Sequence, residues 1–293
     1  MDLIKRFCSM EPQQRRRYTL DALKRVCVRE SRRQTLLLVF EDLHWIDHET
    51  QAFLNLLVDS ISMAPVMLLV NYRPGYSNDW SEKSYYAQLR VEPLQSTSAE
   101  ELLSTLLGKN PDLIPLKRLL IERTEGNPFF AEESVRSLVE TGVLTGEKGA
   151  YRPALQVDNL AIPSTVQNVV ADRIDRLPID EKHLLQTAAV IGVNFPFTLL
   201  RAVTELSEET LQTSLSHLQS AEFLYETTLF PDLEYTFKHA LINEVAYRGL
   251  LHERRRLLHS QVLTALEQIK QESASHDHLE KLAHHALQGE LWE

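Results

Sequence analysis

The chain has 293 residues, is 43% apolar and 25% charged, and carries a formal net charge of −10. Those values fit an ordinary soluble globular protein of about two domains and exclude collagen-like and low-complexity classes. No apolar run reaches the ~18 residues of a membrane helix, and the net acidity argues against a generic nucleic-acid coat. Two cysteines, Cys8 and Cys27, are too few for a disulfide framework or a four-ligand zinc site. Met1 to Arg6 carries charge and no apolar stretch with a cleavage site. A cytoplasmic location is the expectation.

Charge is uneven along the chain. Residues 1–33 carry ten Lys/Arg and four Asp/Glu, a net of +6. The Arg15-Arg16-Arg17 run with Arg32-Arg33 either contacts phosphates or forms the exposed face of a helix over 17–31. No aromatic platform interleaves with the arginines, which favours the exposed face.

Residues 35–40, Thr-Leu-Leu-Leu-Val-Phe, read as a strand buried on both faces of a parallel sheet. Glu41-Asp42 ends it. A helix is predicted from about Glu49 to Ser62, with Phe53, Leu54, Leu57 and Ile61 on its apolar face and Asp47 as N-cap. A second apolar run, Val66 to Val70, completes a βαβ unit. Leu89 to Leu94 reads as a third strand. Residues 98–141 read as three short helices punctuated by Pro111, Pro115 and Gly126-Asn127-Pro128.

Gly142 to Pro163 is irregular, a linker or hairpin. Residues 164–221 read as several helices, two of them entered through Pro163 and Pro178. Phe223 to Leu229 and Leu233 to Phe237 alternate around Pro231-Asp232, the pattern of a β-hairpin. Helices followed by a hairpin outline a winged-helix domain. Residues 239–290 are helical again and hold an antiparallel pair.

An apolar strand ending in adjacent acids is a magnesium-nucleotide signal, because strand carboxyl ends open onto the ligand crevice of an α/β sheet. One carboxylate can hold the magnesium shell while the other orients a water. The bland alternative is a solvated strand end. The wider string, Leu36 to Asp47 (Leu-Leu-Leu-Val-Phe-Glu-Asp-Leu-His-Trp-Ile-Asp), is far more specific. It resembles the Walker B segment of the STAND signal-transduction ATPases, within the AAA-like group. The resembling branch is that of predicted ATPases attached to class III adenylate or guanylate cyclases, protein kinases and LuxR-type regulators.

Three further strings carry the resemblance. Asn71-Tyr72-Arg73-Pro74 is similar to the sensor 1 segment, which implies that Arg73 faces the terminal phosphate. Glu125-Gly126-Asn127-Pro128-Phe129-Phe130 is similar to the GxP motif, which implies Asn127 and Pro128 near the adenine. Tyr235 to Leu241 resembles the end of the family's winged helix, which implies that His239 touches the β-phosphate of ADP; Ala240 stands where the family has Asp. Glu41 and Asp42 are then the catalytic pair and hold Mg²⁺ through water, in an order inverted from the commoner Asp-first pattern. ATP or ADP with Mg²⁺ is the implied cofactor.

The implied fold is a partial P-loop NTPase parallel sheet with a helical lid, followed by a mostly α winged-helix domain and C-terminal helices. The implied domains are 1–95 (nucleotide-binding, Walker B to sensor 1), 96–145 (lid), 155–238 (winged helix) and 239–293 (helices opening tetratricopeptide-like repeats). A phosphate-binding loop needs a Gly-rich turn followed by Lys-Ser/Thr. The chain's one Lys-Ser pair, Lys83-Ser84, has no neighbouring glycine. Family members carry that loop upstream of Walker B, so the chain reads as a fragment that binds ATP weakly or not at all by itself. Residues 155–290 are expected to fold independently and residues 1–95 poorly.

Residues 163–238 hold five Lys/Arg and eleven Asp/Glu, the wrong sign for a groove-binding winged helix. Nucleic acid is therefore not an expected partner, nor is a membrane; an attached effector, a protein partner and oligomerisation in the ATP state are. The alternative reading is a nucleotide-free interaction scaffold. His276, His278, His284 and His285 read as solvated or capping residues rather than metal ligands. Arg254-Arg255-Arg256 reads as a solvated helix face.

Overall fold

The computed structural model describes residue 7 and residues 9–154, 163–204, 206–228, 233–269 and 276–290. It divides into two compact units, Met1–Val91 and Glu92–Glu293.

In the first unit, helix α1 (Pro12–Ser31) enters through Pro12, whose missing N–H costs nothing in a first turn. Strand β1 (Leu36–Phe40) follows, then a 3₁₀ turn (Leu43–Trp45), helix α2 (His48–Ile61) and strand β2 (Val66–Val70). Asp47 caps α2 as expected: its Oδ1 accepts from the Glu49 and Thr50 amides at 2.7 and 2.9 Å, and its Oδ2 accepts from the Thr50 hydroxyl. The strands pair in parallel, in register from Leu36 with Val66 to Phe40 with Val70. Helix α2 buries Leu54, Leu57 and Val58. Leu54 and Val58 form the core with Leu43 and Trp80, against which Phe40, Leu68 and Val70 pack. The Trp80 indole donates to Asn55 Oδ1 at 2.8 Å.

Two expectations fail here. The strands are not buried on both faces: Leu37, Val39, Met67 and Leu69 are each at least half exposed, because the described residues cover one face of a two-stranded pair. Residues 89–94 form no strand; Leu89 and Val91 stand 89% exposed, and no described strand pairs with them.

In the second unit, helices α3 (Ser96–Leu107), α4 (Ile114–Thr124) and α5 (Pro128–Glu140) pack around Leu103, Leu107, Leu116, Leu120, Val135 and Leu138. A minimal antiparallel pair, β3 (Leu144–Thr145) with β4 (Arg152–Pro153), closes this bundle. Buried Lys117 donates to Gly108 O at 2.7 Å and Ser104 Oγ at 3.0 Å, so the α3 end keeps its carbonyl satisfied. The rest of the expected 142–163 linker, residues 155–162, lies outside the described residues.

Helices α6 (Val166–Asp175) and α7 (Ile179–Ile191) come next, then strand β5 (Asn194–Pro196) and helices α8 (Phe197–Val203) and α9 (Glu208–Ser220). Strands β6 (Leu224–Thr228) and β7 (Glu234–Phe237) form the expected hairpin; its tip, residues 229–232, lies outside the described residues. Strand β5 adds to β7, giving an antiparallel sheet in the order β5-β7-β6. Val170, Leu185, Phe195, Leu215, Phe223 and Phe237 are buried together beneath it. Helices α10 (Ala240–Arg248), α11 (His252–Gln268) and α12 (His276–Gln288) end the chain. They share a smaller core with α8 that includes Leu199, Val203, Leu258 and Val262. No helix among the described residues is long and apolar enough to cross a membrane.

Candidate functional site

The expected site residues fall into two sets, one in each unit. Glu41 and Asp42 sit at the carboxyl end of β1, beside the carboxyl end of β2, where Asn71 follows Val70. Asp42 adopts a left-handed backbone, φ 55° and ψ 45°, a conformation that Asp reaches more readily than most side chains. Asn71 holds that turn. Its Oδ1 accepts the Asp42 amide at 2.7 Å, its carbonyl accepts the Leu43 amide at 3.0 Å, and its own amide donates to Phe40 O at 3.2 Å. Three hydrogen bonds from one residue therefore aim the acid pair.

Both carboxylates are exposed, and no hydrogen bond occupies either side chain among the described residues. The nearest cationic group is His44, whose Nδ1 lies 3.9 Å from Asp42 Oδ1. Both ring nitrogens of His44 are buried without a hydrogen-bond partner among the described residues. No group of three or more metal-ligating side chains forms among the described residues. Two free, adjacent carboxylates are nonetheless what magnesium takes from a protein when phosphate oxygens and waters supply the rest of its shell. Arg73 is exposed, two residues beyond Asn71 on the same strand end. Sequence reasoning gave Arg73 a role and quoted Asn71, in the same string, without one; the signal available was Asn71's place directly after the second apolar run.

In the second unit, Asn127 caps α5 by accepting the Phe130 amide at 3.1 Å, and Pro128 takes the first helical position. Gly126, just before them, has φ +76°, and a Cβ there would lie 2.3 Å from Leu94 O. Leu94 in turn donates its amide to Gly126 O at 2.8 Å. The next residue, Phe129, brings the two expected regions together: its ring centroid lies 3.9 Å from that of His239, which precedes α10. Burial and the neighbouring Lys238 push the His239 pKa below its ordinary value, against an opposing pull from Glu133 and Glu132. His239 is therefore a neutral imidazole at pH 7, able to accept or donate one hydrogen bond. Phe129 is a residue the sequence reading quoted without a role.

Two grooves among the described residues lie away from the expected site residues. One of about 540 Å³ is lined by Gln13, Arg16, Arg17, Leu20, Ala52, Asn55 and Leu56. The other, about 210 Å³, lies among Ile174, Asp175, Lys182 and Gln186.

Among the C-terminal histidines, His284 is exposed as expected and His285 is not. His259 and His285 are 1% and 3% exposed, with their Nδ1 atoms 2.8 Å apart; His259 Nε2 lies 3.0 Å from the Tyr247 hydroxyl. One shared proton between two neutral rings satisfies this arrangement. Burial first, then neighbouring cationic groups, hold each pKa at about 4. Nor is Arg255 freely solvated, since its guanidinium lies 4.6 Å over the Tyr247 ring. The side chain of His276 lies outside the described residues.

The mixed, mostly helical architecture with small sheets places the chain among α/β proteins with attached helical modules. No protein-family model matches it. An uncharacterized protein, R02095, of Rhizobium meliloti (strain 1021) is 28% identical over 261 residues, which is 86% of this chain and 24% of that protein. A crystal structure of a Signal Transduction ATPase with Numerous Domains (STAND) protein with a tetratricopeptide repeat sensor, PH0952 from Pyrococcus horikoshii, superposes with a TM-score of 0.57 over 97% of this chain and 36% of that one. At 11% identity the likeness concerns the fold: the chain has a STAND-like fold. It spans about a quarter of the length of the relative and a third of that of the structural neighbour.

Proposed function

We propose that the chain is part of a STAND-type regulatory ATPase in which bound ATP or ADP with Mg²⁺ acts as a switch on an attached effector, such as a nucleotide cyclase or a transcriptional regulator. The observation that carries this reading is the free acid pair at the end of β1, with Asp42 held in a left-handed turn by Asn71. In this reading residues 1–95 carry the Walker B half of a nucleotide domain, 96–145 a lid, 155–238 a winged helix and 239–293 the opening of a sensor. Glu41 and Asp42 would hold magnesium through water, one of them orienting the attacking water, and the ion would neutralise phosphate charge. Arg73 faces the terminal phosphate, Asn127 and Pro128 the base, and neutral His239 the β-phosphate side. Exchange of ADP for ATP biases the arrangement toward an open, oligomerising state in the cytoplasm.

The alternative reading is a nucleotide-free interaction scaffold; the absence of a Gly-rich loop followed by Lys-Ser/Thr concerns these 293 residues alone. Most phosphate contacts in this class come from such a loop. Binding is therefore sought up to ligand concentrations of about 1 mM, equivalent to ~4 kcal/mol.

Titration of the full chain with a fluorescent ADP analogue and Mg²⁺ separates the two. The switch reading expects weak saturable binding that competes with unlabelled ADP, needs Mg²⁺, and is lost in Glu41→Ala/Asp42→Ala. Absence of competable binding at millimolar ligand, or binding indifferent to that double variant, leaves the scaffold.

A further inference from the structure

Helix α5 carries Glu133, Arg136 and Glu140 at helical spacing on the side turned away from its own bundle core, and all three are engaged in ion pairs. Across from them stands Arg173 of α6, whose side chain is fully buried. Its Nη1 pairs with Glu133, which is buried completely as well. Its Nε donates to both Glu140 oxygens at 2.9 and 3.1 Å, and its Nη2 donates to Glu140 Oε1 at 2.6 Å and to Ala221 O at 2.8 Å. The guanidinium lies 4.5 Å over the Phe223 ring. A planar fork of five donors suits such convergent work; a lysine point charge does not.

The cluster continues outward to the other side of the His239 pair. Glu133 also accepts from Arg136, and Arg136 pairs with Glu222. Lys238, the neighbour of His239, pairs with the same Glu222. Burial raises the Glu222 pKa, but Lys238 and Arg136 outweigh it and hold the carboxyl below its usual range. Arg176 adds a bond to Ser137 at 2.8 Å. Both partners of the Phe129–His239 ring contact are thus tied to one network, Phe129 through α5 and His239 through Lys238 and Glu222.

A buried ion pair of this kind is weak as a source of stability and effective as a source of registry, because a shifted partner leaves a charge buried and unpaired. Helix α5 therefore has one permitted seat against α6 and the β6–β7 sheet. We propose that Arg173 is the positioning residue of the Asn127–Pro128–Phe129–His239 half-site, seating the first turn of α5 against His239 before any nucleotide is present. The assignment rests on reading that half-site as nucleotide-facing, although its supporting geometry and its test involve no nucleotide.

The test is the histidine ring-proton NMR titration of the full chain, with the His239 signal assigned by His239→Gln. The groups facing His239 are Lys238 on its own segment and Glu132 and Glu133 from α5. In the parent, the signal is expected to be ring-current shifted by Phe129 and to titrate below the ordinary histidine range. Phe129→Ala should remove the ring-current shift and move the titration toward the ordinary range, with Lys238 still holding it down. Arg173→Met with Glu133→Leu removes the fully buried pair and leaves part-exposed Glu140 to Arg176. Because Glu133 itself pulls the His239 pKa up, this variant is read on the ring-current shift alone, which should move toward its Phe129→Ala position while the melting temperature holds. Arg173→Lys, which keeps the charge and loses the fork, should move it the same way and decides the matter where the double variant does not fold. A folded variant in which His239 keeps its parent shift and titration would overturn the proposal, as would a Phe129→Ala chain with an unmoved signal. Failure of nucleotide binding would leave these titrations untouched.

Discussion

Acidification from pH 7.5 to 5.0 should loosen the α11–α12 pair selectively. His259 and His285 are nearly inaccessible, and burial holds both at about 4, against an ordinary histidine value of 6.5. Between those limits the unfolded segment binds protons that the folded one refuses, so stability rises with pH across the window. The contribution is complete above about pH 6.5 and is lost as pH falls toward 4. At pH 5 the loss is about 2 kcal/mol per histidine, roughly 4 kcal/mol for the pair if the two titrate independently. A second proton on the seam also places two N–H groups face to face across 2.8 Å, with Arg255, His284 and Lys281 adding positive charge nearby. Hydrogen-exchange protection factors for amides 276–288 report this locally; they should fall on the order of 30-fold per histidine between pH 7.5 and 5.0. His259→Gln/His285→Leu should remove most of that dependence. Protection that is flat with pH in the parent, or equally steep in the double variant, refutes the reasoning.

Other measurements address the first unit. Asp47→Ala removes an N-cap that accepts two amides and one hydroxyl, and should lower stability by about 1 kcal/mol in urea unfolding followed by Trp fluorescence. A change under a few tenths would mean that water caps α2 equally well. On the open sheet face, Leu37→Lys with Met67→Glu should leave the unfolding midpoint within about 0.5 kcal/mol of the parent and reduce self-association in sedimentation velocity. A loss of 2 kcal/mol or more would show that this face is packed in solution.

Legibility in the sequence tracked local physics. Asp47 and helix α2 were readable because capping chemistry and apolar spacing act within a few residues. Strand β2 was readable as a bounded apolar run. Residues 89–94, Leu-Arg-Val-Glu-Pro-Leu, only alternate apolar with charged side chains, and a strand needs a partner, which none among the described residues supplies. Three-residue β5, within Val-Asn-Phe-Pro, is too short for any periodicity to register and exists through its pairing with β7. The acid pair was evident by type and position, whereas Asn71's hold on Asp42 is a backbone matter invisible in residue types. Arg173 reads locally as a helix-face arginine; its partners lie 33, 40 and 48 positions away. His285 was misread for the same reason, since its partner His259 lies on another helix.

The contact between Leu94 and Gly126 makes the two positions unequal in what they tolerate. The bond between them runs from amide to carbonyl, so at position 94 any residue with an N–H can make it, whatever its side chain. Position 126 is closed twice over, by its positive φ and by a carbonyl 2.3 Å from where a Cβ would stand. Mutational drift is therefore open on one side of this joint and shut on the other. A library randomised at both positions and selected only for folding should return a broad spectrum at 94 and a single amino acid at 126.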